Sequence, residues 1–490
     1  MAFSIAQADE APIAEANHVR IRKFGEKYLL TADHGAWVFL NKDEFRAFQT
    51  LNFTNHRELK HTLKDKGIII DHNNIDDVVR MYKERYGFLW QGTSLHIIVL
   101  TLRCNLKCVY CHAGVVGEHE PNHDMSMETA KKTVDFMFQS PTPVITIEFQ
   151  GGEPTLNWDV LKYIVDYARE LNKKHKKQLH IDLVTNLTKM TEEKAKWLID
   201  NNIGICTSFD GNQIVHNRNR GKHDDVTLWI ERINKMYAGK GSNQRVNALM
   251  TTTRSSLNHV KDIIDEYVRL GIRFIHLRPL NKLGFADKHW EHISYSTEEF
   301  LKFWREGIEY IIEKDYDIVP RGMHLLLAKI LNKGDPNYTE LRTPCGAATG
   351  QLTYNHDGKV FTCDEGRMVG DDTFEIGDVH TDTYKEVLTR PKTTSIINAS
   401  VNDGHICDTC AYKPYCGLCP VCNYKEQGST IAKVPETSRC QIHMGQFTYI
   451  FESLLNSPKT REKFLSWLSL ERPEQEDRKV FKIELPKPIQ

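Results

Sequence analysis

No apolar run in this 490-residue chain approaches the roughly 18 residues that a membrane-spanning helix needs. Excess charge is also missing. The net charge is −1, and no stripe of lysine and arginine stands out, so bulk electrostatics favours neither a nucleic-acid binder nor a membrane-surface protein. There are no internal repeats and no low-complexity tracts. The first residues, Met1 to Arg20, are mixed polar and acidic, without the apolar core of a signal peptide. The expectation is a cytoplasmic protein with no nucleic-acid and no membrane partner. Its length suits two or three domains, each with its own core.

Cysteine is plentiful instead. A reducing compartment makes twelve cysteines metal ligands rather than disulfides. Eleven fall in two dense groups. The exception, Cys206 in Ile203-Gly204-Ile205-Cys206, reads as a buried inert thiol. The first group is Cys104, Cys108 and Cys111, spaced C-x3-C-x2-C, with Tyr110 just before the third. Such a loop can wrap three thiolates around one corner of a [4Fe–4S] cluster. A four-iron cluster usually takes four cysteines, and no fourth lies nearby. One iron then keeps an open position, which is a place for chemistry. The alternatives are a zinc knuckle or buried core cysteines.

From Ser94 to about Tyr316, short apolar runs alternate with amphipathic stretches. Expected strands are Leu95–Leu102, Val144–Phe149, Leu179–Thr185, Gly204–Phe209, Arg245–Thr251 and Phe274–Arg278. Helical periodicity falls at Met127–Phe138, Asp159–Asn172, Glu192–Asp200, Val226–Tyr237, Leu257–Leu270 and Glu298–Ile312, with Ser126 and Thr191 as N-caps. Strands so rich in Val, Ile and Leu are those covered on both faces of a parallel sheet. Six βα units predict an α/β barrel or partial barrel with its chemistry at the C-terminal strand ends, where the three cysteines lie.

Residues 18–92 read as a separate small α+β domain. Lys27–Thr31 and Ala36–Leu40 form an expected hairpin across Asp33-His34-Gly35, followed by helices at Lys42–Leu51 and His56–Lys66 and a strand at Gly67–Ile70. This pattern suggests a winged-helix module; a purely structural appendage is the alternative. From about residue 336 the chain turns to glycine, proline and cysteine, with Cys345, Cys363, Cys407, Cys410, Cys416, Cys419, Cys422 and Cys440. So little aliphatic content predicts that metal ligation supplies the folding energy. Either iron–sulfur clusters or two zinc sites would serve. The expected divisions are 1–92, 93–320, 336–450 and 451–490, the last ending in a charged surface tail from Arg472.

The cysteine triplet resembles the signature of the radical S-adenosylmethionine (SAM) superfamily, and further motifs extend the likeness. Phe149-Gln150-Gly151-Gly152-Glu153-Pro154 resembles that family's GGEP motif, whose backbone receives the SAM amino group. Two glycines permit close approach of a ligand, and Glu153 can balance an ammonium. Ser208-Phe209-Asp210-Gly211, with His216 and Arg220, resembles a stretch of the anaerobic sulfatase-maturing enzymes. That likeness implies SAM contacts from Gln150, Ser208 and Arg220, the last suited to a carboxylate. Asp210 and His216 are either functional or capping groups. Thr185-Asn186 matches the family's Thr-Asn-Gly except that Leu187 replaces the glycine, which leaves the role of Asn186 open.

The C-terminal cysteines resemble the SPASM domain, an auxiliary-cluster module. Gly358 precedes Cys363 at the family spacing, and Cys407-x2-Cys410-x5-Cys416 also matches. Pro420 departs from the pattern, with cysteines at Cys419 and Cys422 instead. The resemblance implies two auxiliary [4Fe–4S] clusters beside the SAM-binding one. Cys407, Cys410, Cys416 and Cys440 would hold one; Cys345, Cys363 and one or both of Cys419 and Cys422 would hold the other.

These likenesses imply a fold of partial (β/α)6 barrel, small winged-helix-like N-terminal domain and C-terminal SPASM domain. The implied function is a peptide or protein maturase. SAM is cleaved reductively to a 5′-deoxyadenosyl radical that oxidatively modifies or cross-links residues of a ribosomally made peptide. The partners would be that peptide and an electron donor such as flavodoxin or ferredoxin. Cys410-Ala-Tyr-Lys-Pro-Tyr-Cys416-Gly-Leu-Cys419-Pro is most similar to maturases of His-Xaa-Ser repeat peptides; Phe149–Leu156 is closer to sulfatase maturases, which make formylglycine. In the latter, an aspartate placed like Asp364, directly after Cys363, takes a proton from substrate, so Asp364 is the candidate catalytic residue; loop capping is its alternative. A non-catalytic electron carrier and a zinc nucleic-acid-binding protein are the rival classes.

Overall fold

The computed structural model describes residues 15–404 and 406–469. These form two compact units. The first holds the described residues up to Phe88, Ala328–Pro336 and Asn402–Cys416; the second holds Leu89–Leu327, Asn337–Val401 and the described residues from Gly417. The stretch expected as one cysteine-rich domain, 336–450, is thus shared between them. The charged tail from Arg472 lies outside the described residues.

In the first unit, β1 (Glu15–Ala16) is followed by an antiparallel meander of β2 (Val19–Phe24), β3 (Lys27–Ala32) and β4 (Trp37–Leu40), and β5 (Ile69–Ile70) returns to pair with β1. The expected hairpin is β3 and β4, with Gly35 at φ +90° in its turn. Helices Lys42–Gln49 and Arg57–Asp65 match the two expected from periodicity, and Ile75–Tyr86 follows. Asn41 and Glu44 cap the first of these reciprocally. The core is Leu30, Val38, Leu40, Phe48, Leu59, Leu63 and Ile69.

The segment carrying Cys407, Cys410 and Cys416 docks on this small sheet. Thr31 Oγ1 donates to Ala411 O at 2.8 Å and Arg20 Nε to Asp408 O at 2.9 Å. Buried Arg85 donates to Lys329 O and to Pro414 O, at 2.9 and 2.7 Å.

The second unit is built on β6 (Leu95–Thr101), β7 (Val144–Gly151), β8 (Gln178–Thr185), β9 (Gly204–Ser208) and β10 (Asn247–Leu249), all parallel neighbours in one sheet. Helices Met127–Met137, Trp158–His175, Glu192–Asp200, His223–Gly239 and Val260–Arg269 alternate with them. Ser126 and Thr191 cap as expected, accepting from the N–H of Thr129 and Lys194.

Three expectations change here. The sixth strand is not in this sheet: β11 is only Phe274–Ile275 and pairs with β12 (Val319–Pro320). Arg278 N–H closes on His276 O at 2.8 Å, and this tight turn ends the strand. Burial on both faces holds for β6 but not for β7, where Ile145, Ile147 and Phe149 are buried while Thr146, Glu148 and Gln150 are half-buried. The inner face of the arc is therefore partly polar. Third, metal ligation is not the only support of the cysteine-rich stretch. β13 (Gln351–Tyr354) pairs parallel with β6, and β14 (Lys359–Phe361) and β15 (Glu375–Asp378) extend the same sheet to eight strands. Leu352, Tyr354, Val360, Phe374 and Ile376 are buried there.

Candidate active site

The loop after β6 carries the cysteine triplet, and its backbone is pinned from several sides. Cys104 N–H donates to Val116 O at 3.1 Å, Val109 N–H to Asn219 O at 2.9 Å, and Phe285 N–H to Cys111 O at 2.7 Å. Leu106 N–H points at Cys104 Sγ from 3.4 Å, and Asn186 Nδ2 lies 3.9 Å from it. Burial pushes the Cys104 thiol up to about 12 and that of Cys108 up to about 11, and Cys104 also feels Cys108 and Cys111.

The glycine pair at the end of β7 packs on this loop. A Cβ on Gly151, at φ +139°, would come 2.2 Å from Thr101 O, and one on Gly152 would come 2.1 Å from Arg103 O. Backbone-to-backbone contact demands both glycines. The expected role of the Glu153 side chain needs correction. Its carboxylate is fully buried and already taken: Oε1 accepts from Thr155 N–H, Thr155 Oγ1 and Thr185 Oγ1, and Oε2 from Asn186 N–H at 2.8 Å. It joins the ends of β7 and β8 rather than facing an ammonium. Leu187 sits at φ +62°, the conformation a glycine would adopt most easily. Asn186 itself turns to the cysteine loop, donating to Asn105 Oδ1 at 3.1 Å.

After β9, fully buried Asp210 organises the next set. It accepts the Tyr110 hydroxyl with both oxygens, at 2.8 and 2.6 Å, and Asn219 Nδ2 at 3.0 Å, while Arg220 Nε lies 3.2 Å away. The Arg220 guanidinium stacks 4.7 Å from the Tyr110 ring centroid. Asp210 N–H donates to His216 Nδ1 at 3.2 Å. Both open residues, Asp210 and His216, thus have structural partners that position Arg220 and Tyr110. Gln150 and Ser208 stand half-buried at the ends of β7 and β9 on the inner face, and Gln150 Nε2 donates to Glu148 Oε1 at 2.5 Å.

Among the C-terminal cysteines, the structure brings Cys345, Cys363, Cys419 and Cys422 together. Cys422 N–H donates to Cys419 Sγ at 3.4 Å, and the Cys363 thiol, raised mainly by burial, also feels Cys419 and Cys345. Gly366 N–H donates to Cys363 Sγ at 3.2 Å. Cys407, Cys410 and Cys416 lie in the first unit and Cys440 in the second. Asp364 opens the helix Asp364–Met368. Its Oδ1 is buried without a hydrogen bond, 3.7 Å from Arg367 Nε, and burial pushes the carboxyl up to about 6.

Sequence reasoning missed a half-buried charge cluster beside this group, formed by Arg278, Glu340, Glu365 and Arg439, and the carboxylates Glu148 and Asp182 on neighbouring inner-face positions. Burial raises Glu148 to about 7. The available signal was a charge inside an apolar strand, as in Val144-Ile-Thr-Ile-Glu148 and Phe274-Ile-His-Leu-Arg278.

The radical SAM superfamily matches residues 98–266, and an iron–sulfur cluster-binding SPASM domain matches 345–427. The chain carries a radical SAM domain followed by a SPASM domain. This radical SAM enzyme is similar to a cysteine-type anaerobic sulfatase-maturating enzyme of Clostridium perfringens, with 25% identity over 74% of this chain and 97% of that protein. Its fold is similar to that of anSMEcpe solved with AdoMet and the Cp18Cys peptide: TM-score 0.63, 23% identity, 76% of this chain and 99% of that one. It is also similar to Streptococcus suis SuiB bound to precursor peptide SuiA: TM-score 0.53, 12% identity, 86% and 98% covered.

The cofactors of a radical SAM protein with a SPASM domain are SAM and iron–sulfur clusters. The donor set fits them. Sulfurs that accept N–H groups, as those of Cys104 and Cys363 do, are the ligands such clusters use. Among the described residues, no three His, Cys, Asp or Glu side chains converge on a point that could hold a single ion. A cubane asks for something else, since each thiolate meets a different iron.

Proposed function

We propose that this enzyme oxidatively modifies or cross-links residues of a ribosomally made peptide. The observation that carries the reading is the Asp364 carboxyl: buried, one oxygen without a hydrogen bond, and next in the chain to Cys363. Cys104, Cys108 and Cys111 would hold the cluster that binds SAM. Tyr110, Gln150, the Gly151-Gly152 backbone, Ser208 and Arg220 would hold SAM itself, with Arg220 on its carboxylate. Bound there, these cofactors supply a radical that takes a hydrogen atom from the substrate and a route for the electron that leaves next. Asp364 takes the proton released with that electron.

The first unit serves in this reading as a winged-helix-like peptide-recognition module, and flavodoxin or ferredoxin supplies the electrons. The site of action is the cytoplasm; no helix among the described residues is long and apolar enough to cross a membrane. The experiment is an anaerobic incubation of reconstituted enzyme with SAM, dithionite and the peptide encoded beside its gene. 5′-Deoxyadenosine together with a peptide lighter by two hydrogens is the expected result. SAM cleavage that leaves every such peptide unchanged overturns the reading.

A second reading is sulfatase maturation, favoured by the 97% coverage of the clostridial relative. In that case a cysteine or serine peptide would yield a formylglycine aldehyde, which a carbonyl-reactive probe detects.

A further inference from the structure

Arg439 stands directly before Cys440, yet its guanidinium serves a different cysteine. Nη1 donates to Cys422 Sγ at 3.4 Å, and Nη2 donates to Glu340 Oε2 at 2.6 Å. Glu340 Oε1 accepts from Arg278 Nη2 at 3.0 Å, and the same nitrogen reaches Glu365 Oε1 at 2.7 Å. Cation and anion alternate without a break from the Cys422 sulfur to Glu365, two residues past Cys363. Arg439 Nε is buried with no hydrogen bond of its own, a desolvation cost that a solvated arginine would not bear. The guanidinium is therefore held against the sulfur, not merely left near it.

We propose that Arg439 sets the reduction potential of the auxiliary cluster expected on Cys345, Cys363, Cys419 and Cys422, by donating a charged hydrogen bond to one of its sulfurs. The inference rests on reading those four cysteines as one ligand set. An added electron spreads negative charge over the sulfurs, so an N–H donor bearing positive charge stabilises the reduced form more than the oxidised form and raises the potential. Glu340 acts in the opposite sense. It lies one guanidinium farther from the sulfur, holds the arginine fork in place and offsets part of its charge. Arg439 is thus a positioning and tuning residue, and touches no substrate.

The test is an EPR-monitored redox titration of the full, reconstituted chain, alongside Arg439→Gln and Glu340→Gln. Cys422→Ala marks which signal belongs to the group in question. In Arg439→Gln that midpoint should fall, so that at the wild-type midpoint the reduced-to-oxidised ratio drops about tenfold, equivalent to about 59 mV for one electron. In Glu340→Gln, whose amide oxygen still accepts from Arg439, the same midpoint should rise. A general loosening would not move the two variants in opposite directions. If Arg439→Gln loses iron, Glu340→Gln decides alone, and a midpoint that fails to rise overturns the proposal. An unmoved midpoint, with the Cys422→Ala signal altered, rejects the role of Arg439. A Cys422→Ala spectrum identical to wild type rejects the ligand set itself.

Discussion

Arg103 and Asp124 form a two-pronged ion pair, Nε to Oδ1 at 2.8 Å and Nη2 to Oδ2 at 2.6 Å, immediately before the first cysteine of the triplet. Both side chains are largely buried, and Arg103 also donates to Glu118 O and Leu156 O. Asp124→Ala leaves that guanidinium without its anion, at a cost of about 1–3 kcal/mol. The expected outcome is a lower thermal midpoint and weaker iron retention at the triplet. Retention of full iron and unchanged 5′-deoxyadenosine formation would show that the pair does not hold the loop.

Replacing Cys104, Cys108 and Cys111 together by alanine should abolish 5′-deoxyadenosine formation while most of the remaining iron stays bound. The C-terminal sulfurs lie on other segments, from Cys345 onward, outside the loop that carries the triplet. Iron counting and chromatography of the SAM products check this. Cleavage of SAM by the triple variant under dithionite would sink the assignment.

Asp364→Asn separates radical generation from product formation. SAM cleavage should survive, while modified peptide falls by at least about a hundredfold, the lower range for loss of a general base. Product at the wild-type level would remove Asp364 from the mechanism.

His96 gives a pH signature distant from the cysteines. It is fully buried on β6, its Nδ1 2.8 Å from the Tyr354 hydroxyl, and burial lowers it from the usual 6.5 to about 3. Below pH 6.5 the unfolded chain takes up a proton that the folded chain refuses, so stability is full above that pH and is lost as pH falls toward 3. Between about pH 7.5 and about pH 5.5 the wild type should lose about 1.4 kcal/mol more than His96→Gln. Equal losses in denaturant titrations would rule out a neutral buried imidazole.

Features read locally in the sequence match the structure best. Ser126 and Thr191 cap their helices because a cap needs only three residues of context. The Cys104–Cys111 spacing, the glycine pair and five of the six expected strands were legible for the same reason. What depended on distant partners was not. Nothing near Gln351 announces that it will pair with Leu95, and nothing in Glu153-Pro154 shows that four buried donors will claim the carboxylate. The sixth strand looked complete because Phe274–Arg278 alternates well, but Arg278 is drawn off to Glu340 and Glu365.

The pairing of β13 with β6 has an evolutionary edge to it. The strand that launches the cysteine-triplet loop borrows its outer neighbour from residues some 250 positions later. Recombination that traded the cysteine-rich portion between relatives at the end of the last βα unit would leave β6 with a bare row of backbone donors and acceptors, an invitation to aggregation. Inheritance of the two functions is thus tied by a shared seam, and any graft that respects it must carry Gln351–Tyr354 along with the barrel.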